Sequence, residues 1–325
     1  MCTAITYNTN DHYFGRNFDY LMSYGENVVV TPRNFPFKFK KIEDIDNHYA
    51  FIGIAAVFDN YPLYYDATNE KGLSIAGLNF PGNAYYNTKE VDGKINISPF
   101  ELIPWLLSKF ESVKEARPYL ENLNLMNINF SESLPLAPLH WIISDQNESI
   151  VMESVKSGLK IYDNPLGVLT NNPEFEYQMF NLNNYHNISK RDPENLFSEK
   201  ITLDTYCRGM GTMGMPGDLS SMSRFVRASF AKLNSVSETS EGESVGQFFH
   251  ILSFVEQLKG LCITSGSNYE YTIYSSCCNM DKGIYYYRTY KNSQINAIDM
   301  HKEDLESSNL SVYPLINEQN IKFVN

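Results

Sequence analysis

The residue with the clearest chemical potential is Cys2, which directly follows the initiator methionine. Initiator methionine is commonly removed before small residues, and its removal would place a thiol and a free α-amine on one residue. An α-amine has a reference pKa of about 7.7–8.0, and a thiolate is a strong nucleophile, so the pair would form a self-contained nucleophile and base. On the dipeptide Met1-Cys2 alone, Cys2 is more typically a small apolar residue at the start of a strand than a nucleophile.

Two charged residues follow one hairpin later, Arg16 and Asp19. A strand that runs back beside Cys2 would bring both near the N-terminus. Asp19 would then accept a hydrogen bond from the amine, and Arg16 would keep Asp19 ionised and favour thiolate over thiol. An ordinary surface ion pair explains the same spacing equally well.

Two asparagines and a second arginine complete the candidate catalytic residues. Asn79 ends an apolar strand and Asn171 follows another. Backbone or side-chain N–H groups at such strand ends can bind the negative oxygen that develops during amide hydrolysis. Arg224, at a predicted helix start, would stabilise a thiolate or an anionic leaving group. Taken singly, each asparagine is more typical of a turn, and such an arginine is more often packed or solvated.

Apolar side chains near these residues predict a cleft for an apolar substrate. One group lies in a Gly-flanked loop near residue 24 and another around a turn at residues 59–63. The predicted substrate-contacting residues are Met22, Tyr24, Phe58, Tyr61, Leu63, Tyr65 and Leu136.

Two other motifs suggest different chemistry. Residues 209–214 match the dinucleotide-binding pattern G-x-G-x-x-G, but no good strand precedes them and Pro216 follows, so we predict a loop. His140 stands beside Trp141, as a catalytic partner of a cysteine would, but it lies in an apolar strand and is more typical of a core histidine.

The candidate residues must be positioned by strands and helices, and these are predicted in alternating blocks along the chain. Strands are predicted at 2–7, 13–16, 27–31, 49–57, 63–67, 73–78, 139–144, 149–155, 159–162, 167–170, 271–280, 283–290 and 295–299. Helices are predicted at 99–110, 112–123, 174–184, 223–233 and 244–258. Helices grouped between runs of strands favour an α+β layered fold. Because no linker or repeat divides the chain, we predict one domain over residues 1–325.

Composition narrows the class of protein. The net charge is 26 − 38 = −12, which argues against a broad basic face for nucleic acid. Five irregularly spaced cysteines suggest neither a disulfide framework nor a zinc ribbon. No apolar run is long enough for a signal peptide or a membrane span, so we expect a cytoplasmic protein without a membrane partner.

Taken together, several segments of the chain resemble choloylglycine hydrolases, the family of bile salt hydrolases and penicillin V acylases. The resemblance covers essentially the whole chain. The matching segments are residues 1–3, 14–19, 69–73, 76–81, 139–141, 169–173, 214–218, 223–225 and 296–299.

The resemblance implies a four-layer αββα sandwich of the N-terminal-nucleophile type that hydrolyses the amide of glycine- or taurine-conjugated bile salts. By position, Cys2 would be nucleophile and, through its amine, proton carrier. The family also implies that Arg16 and Asp19 orient and tune Cys2, that Asn79 and Asn171 form the oxyanion hole and that Arg224 supports the thiolate.

The resemblance further implies a homotetramer, in which residues 186–206 would serve assembly, and chemistry that needs no metal or cofactor. Asn79 resembles the bile salt branch, because the penicillin branch tends to have tyrosine there. The apolar loop residues match less closely, so penicillin V or another N-acyl amide stays the alternative substrate.

Overall fold

The computed structural model describes residues 1–264 and 266–325. Its strands are β1 (Cys2–Asn8), β2 (His12–Tyr20), β3 (Asn27–Thr31), β4 (Phe51–Phe58), β5 (Tyr61–Asn69), β6 (Ser74–Asn79), β7 (Ile95–Ile97), β8 (Leu123–Leu125), β9 (Leu139–Ser144), β10 (Ser149–Val155), β11 (Gly158–Asp163), β12 (Val168–Leu169), β13 (Tyr271–Asn279), β14 (Ile284–Thr289), β15 (Asn292–Asp299) and β16 (Ser311–Pro314). Its α-helices are α1 (Leu102–Lys109), α2 (Val113–Glu121), α3 (Phe175–Asn181), α4 (Ser221–Asn234) and α5 (Glu241–Ser253). Short 3₁₀ helices cover Pro99–Glu101, Leu182–Tyr185, Met210–Thr212 and Met300–Lys302.

Two antiparallel sheets form the centre of the molecule. The first has the strand order β12-β1-β2-β13-β14-β15, and the second has the order β11-β10-β9-β6-β5-β4-β3-β16. Each sheet joins strands from both ends of the chain. In the first sheet β2 pairs with β1 and with β13, and in the second sheet β3 pairs with β16. This interleaving favours the single-domain prediction.

Helices cover the outer face of each sheet. α4 and α5 pack on β1, β2 and β13 of the first sheet, while α1 packs on β5 and β6 of the second. Apolar residues of both sheets share one buried cluster, and a second cluster lies between α1, α2 and the second sheet. The layers are therefore αββα, and the α+β prediction is confirmed.

The β1–β2 hairpin places the candidate nucleophile. Its register pairs Cys2 with Phe18 and Ala4 with Arg16. Side chains of paired residues share a face, and successive residues alternate between faces. Cys2 and Arg16 therefore face the second sheet, whereas Asp19 faces the helical layer.

Gly15 allows β2 to lie close against β13. A Cβ atom at this position would stand 2.0 Å from the Ser276 carbonyl oxygen. Any larger residue would push the strands apart, so the glycine beside Arg16 has a packing reason.

Most predicted elements are present, with corrections at their ends. The predicted helix 112–123 ends at Glu121, because Leu123–Leu125 pairs in parallel with β7. The predicted helix 244–258 runs from Glu241 to Ser253, because Ser240 and Glu243 form a capping box one turn earlier. The strands β7, β8 and β16 were not predicted.

Two segments for which the sequence predicts no helix or strand, residues 186–206 and 209–214, have little regular secondary structure. Residues 186–206 form no helix or strand, and residues 209–214 contain one 3₁₀ turn, as predicted for a loop. Among the described residues, no helix has both the length and the apolar character needed to cross a bilayer.

Candidate active site

Cys2 lies at the start of β1, between the two sheets and under Met1. Cys2 is 2% exposed, whereas Met1 is half-buried. The Met1 amine donates to the Asp19 carbonyl oxygen (2.8 Å) and pairs with the Glu270 carboxylate. Met1 is thus anchored at the start of β1, directly before Cys2.

Asn171 contacts the backbone nitrogen of Cys2 directly. The Asn171 Oδ1 atom accepts hydrogen bonds from the Cys2 nitrogen (2.7 Å) and from Arg224 Nη2 (2.8 Å). Because both neighbours are donors, this atom must be the amide oxygen. The Nδ2 atom donates one hydrogen to the Asn79 carbonyl oxygen (2.7 Å), which leaves its second hydrogen for another acceptor.

Asn79 ends β6 beside Asn171, so the structure brings both predicted oxyanion residues together. Its side chain is partly exposed and makes no hydrogen bond within the described part of the chain. An oxyanion needs nearby N–H donors, and two are available here: the side-chain amide of Asn79 and the second Nδ2 hydrogen of Asn171.

Arg224 reaches Cys2 from the helical layer. It lies in the first turn of α4, which Ser220 caps. Its Nη1 atom donates to the Cys2 carbonyl oxygen and to Thr3 Oγ1 (2.7 Å). The guanidinium is fully buried, and burial lowers its pKa, although Asp19 and Cys2 oppose this shift.

Arg16 reaches the site from the opposite side, between the sheets. Its Nη1 atom donates to the carbonyl oxygens of Gly77 (2.6 Å) and Tyr65 (3.0 Å). Its Nε and Nη2 atoms have no hydrogen-bond partner among the described residues. Burial lowers the pKa of Arg16, but negative charge on Cys2 and its buried neighbours outweighs burial and raises the pKa overall. Arg16 therefore keeps two guanidinium nitrogens unpartnered within the described chain, on the sheet face that Cys2 also shares.

Asp19 completes the charged group. Its carboxylate is fully buried, and its Oδ1 atom accepts a hydrogen bond from Thr272 Oγ1 (2.6 Å). The Oδ2 atom has no partner in the described part of the chain. Burial raises the pKa of Asp19, and the opposing charges of Arg224 and the N-terminal amine do not cancel that effect.

A second buried carboxylate, Asp66, was not among the predicted site residues. Its Oδ1 atom accepts from the Tyr274 hydroxyl (3.1 Å), and its Oδ2 atom accepts from Ser276 (3.3 Å) and Tyr285. Burial raises the pKa of Asp66, and Arg16 is the largest influence that lowers it. The available signal was an acidic residue inside the apolar strand predicted at residues 63–67.

Part of the predicted apolar group connects to Cys2 through aromatic rings. Phe18, the strand partner of Cys2, lies 4.9 Å from Tyr65 and 6.0 Å from Tyr20, which lies 5.5 Å from Tyr24 (centroid distances). This row runs from Cys2 to the exposed loop that also carries Met22, which is 57% exposed. Tyr20 extends the predicted set.

The remaining predicted contact residues have no aromatic contact with this row among the described residues. Phe58 and Tyr61 face each other across the tight turn formed by Asp59 and Asn60, both with positive φ. Tyr61 packs against three phenylalanines of the outer layer rather than against the Phe18 row. Leu63 and Leu136 are half-buried.

Comparison with known proteins decides the class of this site. The sequence model of the linear amide C–N hydrolases of the choloylglycine hydrolase type matches residues 2–313. The chain belongs to the choloylglycine hydrolase family. It is therefore an amide hydrolase, and membership agrees with a site that places a sulfur, two arginines and an amide donor pair together.

Relatives within the choloylglycine hydrolase family match over the full length. The chain is 63% identical to the bile salt hydrolase/transferase of Lactiplantibacillus plantarum, with all of both chains covered. It is 39% identical to the bile salt hydrolase/transferase of Clostridium perfringens, again over all of both chains.

Two solved structures confirm the fold. A crystal structure of a mutant conjugated bile acid hydrolase from Clostridium perfringens matches with a TM-score of 0.93 at 37% identity, with both chains fully covered. The penicillin V acylase from Agrobacterium tumefaciens shares the fold, with a TM-score of 0.74 at 22% identity over 96% of this chain and 90% of that one. The αββα prediction of the N-terminal-nucleophile type is confirmed.

Proposed function

We propose that the chain hydrolyses the amide bond of glycine- or taurine-conjugated bile salts, with Cys2 as its N-terminal nucleophile after Met1 is removed. The observation that carries this proposal is the hydrogen bond from the Cys2 nitrogen to Asn171 Oδ1 (2.7 Å). This bond holds the future α-amine and the sulfur of one residue beside the amide donors. The substrate class rests on the similarity to relatives named for bile salts.

The first step forms a thioester. The Cys2 thiol gives its proton to the Cys2 amine, and the sulfur attacks the amide carbonyl carbon. The carbonyl electron pair moves to oxygen, where Asn79 and the free Nδ2 hydrogen of Asn171 stabilise the charge. The C–N bond then breaks, and the Cys2 ammonium gives its proton to the departing nitrogen of glycine or taurine.

The second step releases the bile acid. The Cys2 amine takes a proton from water, and the hydroxide attacks the thioester carbonyl. The C–S bond breaks and the sulfur regains its proton from the ammonium. The scheme needs no metal and no cofactor.

The charged residues tune this pair. Arg16 and Arg224 would stabilise the thiolate from opposite sides of β1, and the free Oδ2 atom of Asp19 would accept from the Cys2 ammonium. Among the predicted contact residues, Tyr24 and Tyr65 would bind the apolar steroid through the Phe18 row. Met22, Phe58, Leu63 and Leu136 would form the rest of the cleft. Tyr61, whose ring packs against Phe37, Phe100 and Phe130, would support the cleft from behind and not line it.

Side-by-side kinetics test the substrate. Rates of hydrolysis of taurocholate, glycocholate and penicillin V are measured with wild type and with Cys2→Ala. We expect bile salt turnover to dominate and to disappear in Cys2→Ala. Dominant penicillin V turnover would overturn the substrate assignment, and unchanged turnover in Cys2→Ala would overturn the nucleophile.

Acyl transfer is a second candidate activity, because several relatives are named hydrolase/transferase, including the one at 63% identity. The thioester would react with an amine instead of water, and the Cys2 amine would accept the proton of the attacking amine. Incubating wild type with a conjugated bile salt and a second amino acid would give the exchanged conjugate. Its absence, while hydrolysis proceeds, would exclude transfer.

For the whole protein, we propose a cytoplasmic homotetramer. Residues 186–206 expose apolar side chains, of which Leu196 is 90% and Phe197 is 83% exposed. Exposed apolar side chains grouped on one segment are typical of an assembly surface.

A further inference from the structure

We propose that His140, paired with Glu153, is a positioning residue that holds both halves of the oxyanion hole in place. The inference rests on the assignment of Asn79 and Asn171 to that hole. His140 lies in β9 and touches neither the Cys2 sulfur nor its nitrogen. It acts through the residues beside each asparagine.

The two ring nitrogens of His140 have fixed partners. Nε2 lies 2.9 Å from the Thr170 carbonyl oxygen, and Nδ1 lies 2.9 Å from Glu153 Oε1. A carbonyl oxygen only accepts, so Nε2 must carry a hydrogen whichever of His140 and Glu153 holds the proton between them. The ring therefore clamps the residue that precedes Asn171.

The same ring also fixes the segment that follows Asn79. It stacks on Phe80 with a centroid distance of 4.1 Å and an interplanar angle of 5°. In the β6–β9 register, Leu78 pairs with His140 and Asn79 pairs with Leu139. One side chain thus joins two segments that lie far apart in the sequence, at Phe80 and at Thr170.

Glu153 extends the clamp to the other side of Asn171. Its two carboxylate oxygens accept from the Phe175 backbone nitrogen (3.1 and 3.3 Å), which sets the first turn of α3. The same helix carries Gln178, whose Nε2 atom donates to the Asn171 carbonyl oxygen and whose Oε1 atom accepts from Thr170 Oγ1 (2.7 Å). His140 and Glu153 therefore hold Thr170 and Asn171 both directly and through α3.

Burial gives a reason to assign this pair a role beyond stability. His140, Glu153 and Gln178 are fully buried. A buried ionisable pair is often no more stabilising than apolar residues of the same volume. What apolar residues would not supply here is the directed hydrogen bond to the Thr170 carbonyl oxygen.

The test compares His140→Phe, which keeps the ring and its stack but removes both hydrogen bonds, with Glu153→Gln. The introduced glutamine would donate to Nδ1 through its amide and accept from Phe175 through its oxygen, so this conservative variant preserves the clamp. The readouts are kcat and KM on the fastest amide substrate, and the rate of Cys2 alkylation by iodoacetamide. Asn79→Ala and Asn171→Ala are measured in parallel.

For His140→Phe we expect kcat to fall by about tenfold or more, while KM and the alkylation rate change by less than about threefold, as expected when only transition-state stabilisation is lost. Glu153→Gln should retain kcat within about threefold. A general structural defect would instead lower kcat and alkylation together.

Each contrary outcome has one meaning. The inference would be overturned if folded His140→Phe had wild-type kcat, or if its kcat and alkylation rate fell by the same factor. A large loss of kcat in folded Glu153→Gln would also overturn it. If His140→Phe does not fold, His140→Gln, which is too short to reach both partners, takes its place with the same expectation. Wild-type kcat in Asn79→Ala and Asn171→Ala would instead refute the oxyanion-hole assignment itself.

Discussion

Arg224 shows how much depends on a single side chain at this site. Its two terminal nitrogens donate to the Cys2 carbonyl oxygen, to Thr3 Oγ1 and to Asn171 Oδ1. The planar guanidinium supplies several donors in one rigid group, which a lysine ammonium does not reproduce. Arg224 therefore fixes the backbone of the nucleophile and the orientation of Asn171 together.

Replacing Arg224 with leucine should lower kcat by about a hundredfold, because the thiolate loses a buried positive charge and Asn171 loses a donor. Steady-state kinetics on a conjugated bile salt measure the change. Arg227→Leu is the matched control, because Arg227 lies one turn later in α4 and contacts Phe254 instead of the site. Equal losses in the two variants would contradict the assigned role.

We expect the pH dependence of activity to follow the protonation of the Cys2 α-amine. Burial lowers the pKa of the N-terminal amine below its ordinary 8.0, while Cys2 and Asp19 raise it less strongly. After removal of Met1, the Cys2 amine would stand one residue further along the chain, at the start of β1, and we expect the same influences to act on it. An amine must be neutral to take the thiol proton, so activity is retained above its pKa and is lost as the pH falls through it.

We expect the acid limb of kcat/KM to have its midpoint below pH 8.0 and to move to lower pH in Asp19→Asn, which loses the charge that raises the amine pKa. A pH profile of kcat/KM for both proteins checks this. A midpoint that stays in place or rises in Asp19→Asn would show that another group governs the limb.

At the scale of elements, the β1–β2 hairpin and its contact with β13 determine where the nucleophile lies. Gly15 permits that contact, since an added Cβ would meet the Ser276 carbonyl oxygen at 2.0 Å. At Gly246 in α5, no atom of the described residues lies within 4 Å of an added Cβ. The two glycines therefore differ in what an alanine would do.

Gly15→Ala should destabilise the protein by about 2 kcal/mol or more, because strands β2 and β13 must separate. Gly246→Ala should instead stabilise by roughly 0.5–1 kcal/mol, because alanine favours a helix. Denaturant unfolding of both variants measures the difference. Equal stability of the two would mean that the β2–β13 contact tolerates a larger residue.

The elements of this site were largely predictable from sequence, because most catalytic candidates stand near a strand or helix end marked by a local pattern; Arg16, in the middle of β2, is the exception. The hairpin turn after β1 correctly brought Arg16 and Asp19 back toward Cys2. Helix ends were less accurate: the apolar pattern of α5 begins near Val245, so its polar capping turn at Ser240 was overlooked.

Contacts between distant segments were not predictable. Thr272 reaches Asp19 only because β13 pairs with β2. Asp66 comes close to Arg16 only because the two sheets stack on each other. His140 was predicted as a core histidine, and it is buried, but its hydrogen bonds depend on Thr170 and Glu153 in other parts of the chain. No local sequence pattern reports such partners.

At the scale of the whole molecule, residues 186–206 stand apart from the layered core. They contain no helix or strand and expose Leu196 and Phe197. If this segment assembles the tetramer, its apolar side chains are buried between subunits, which would stabilise the assembly.

Replacing Leu196 and Phe197 together with aspartate should therefore dissociate the tetramer, because two charges would be buried in the interface. Light scattering coupled to size-exclusion chromatography gives the molar mass in solution. Glu199→Lys, in the same segment, changes charge without touching the apolar residues and is the control. A wild-type protein that is already monomeric would contradict the assembly proposal.

The central claim is that one residue supplies both the sulfur and the amine, and mass spectrometry of the active protein tests it most directly. The enzyme is mixed with a conjugated bile salt, quenched in acid and digested. We predict an N-terminal peptide that begins at Cys2 and carries the bile acyl group on its sulfur. Fully active protein that retains Met1, or an acyl group found on another residue, would contradict the account.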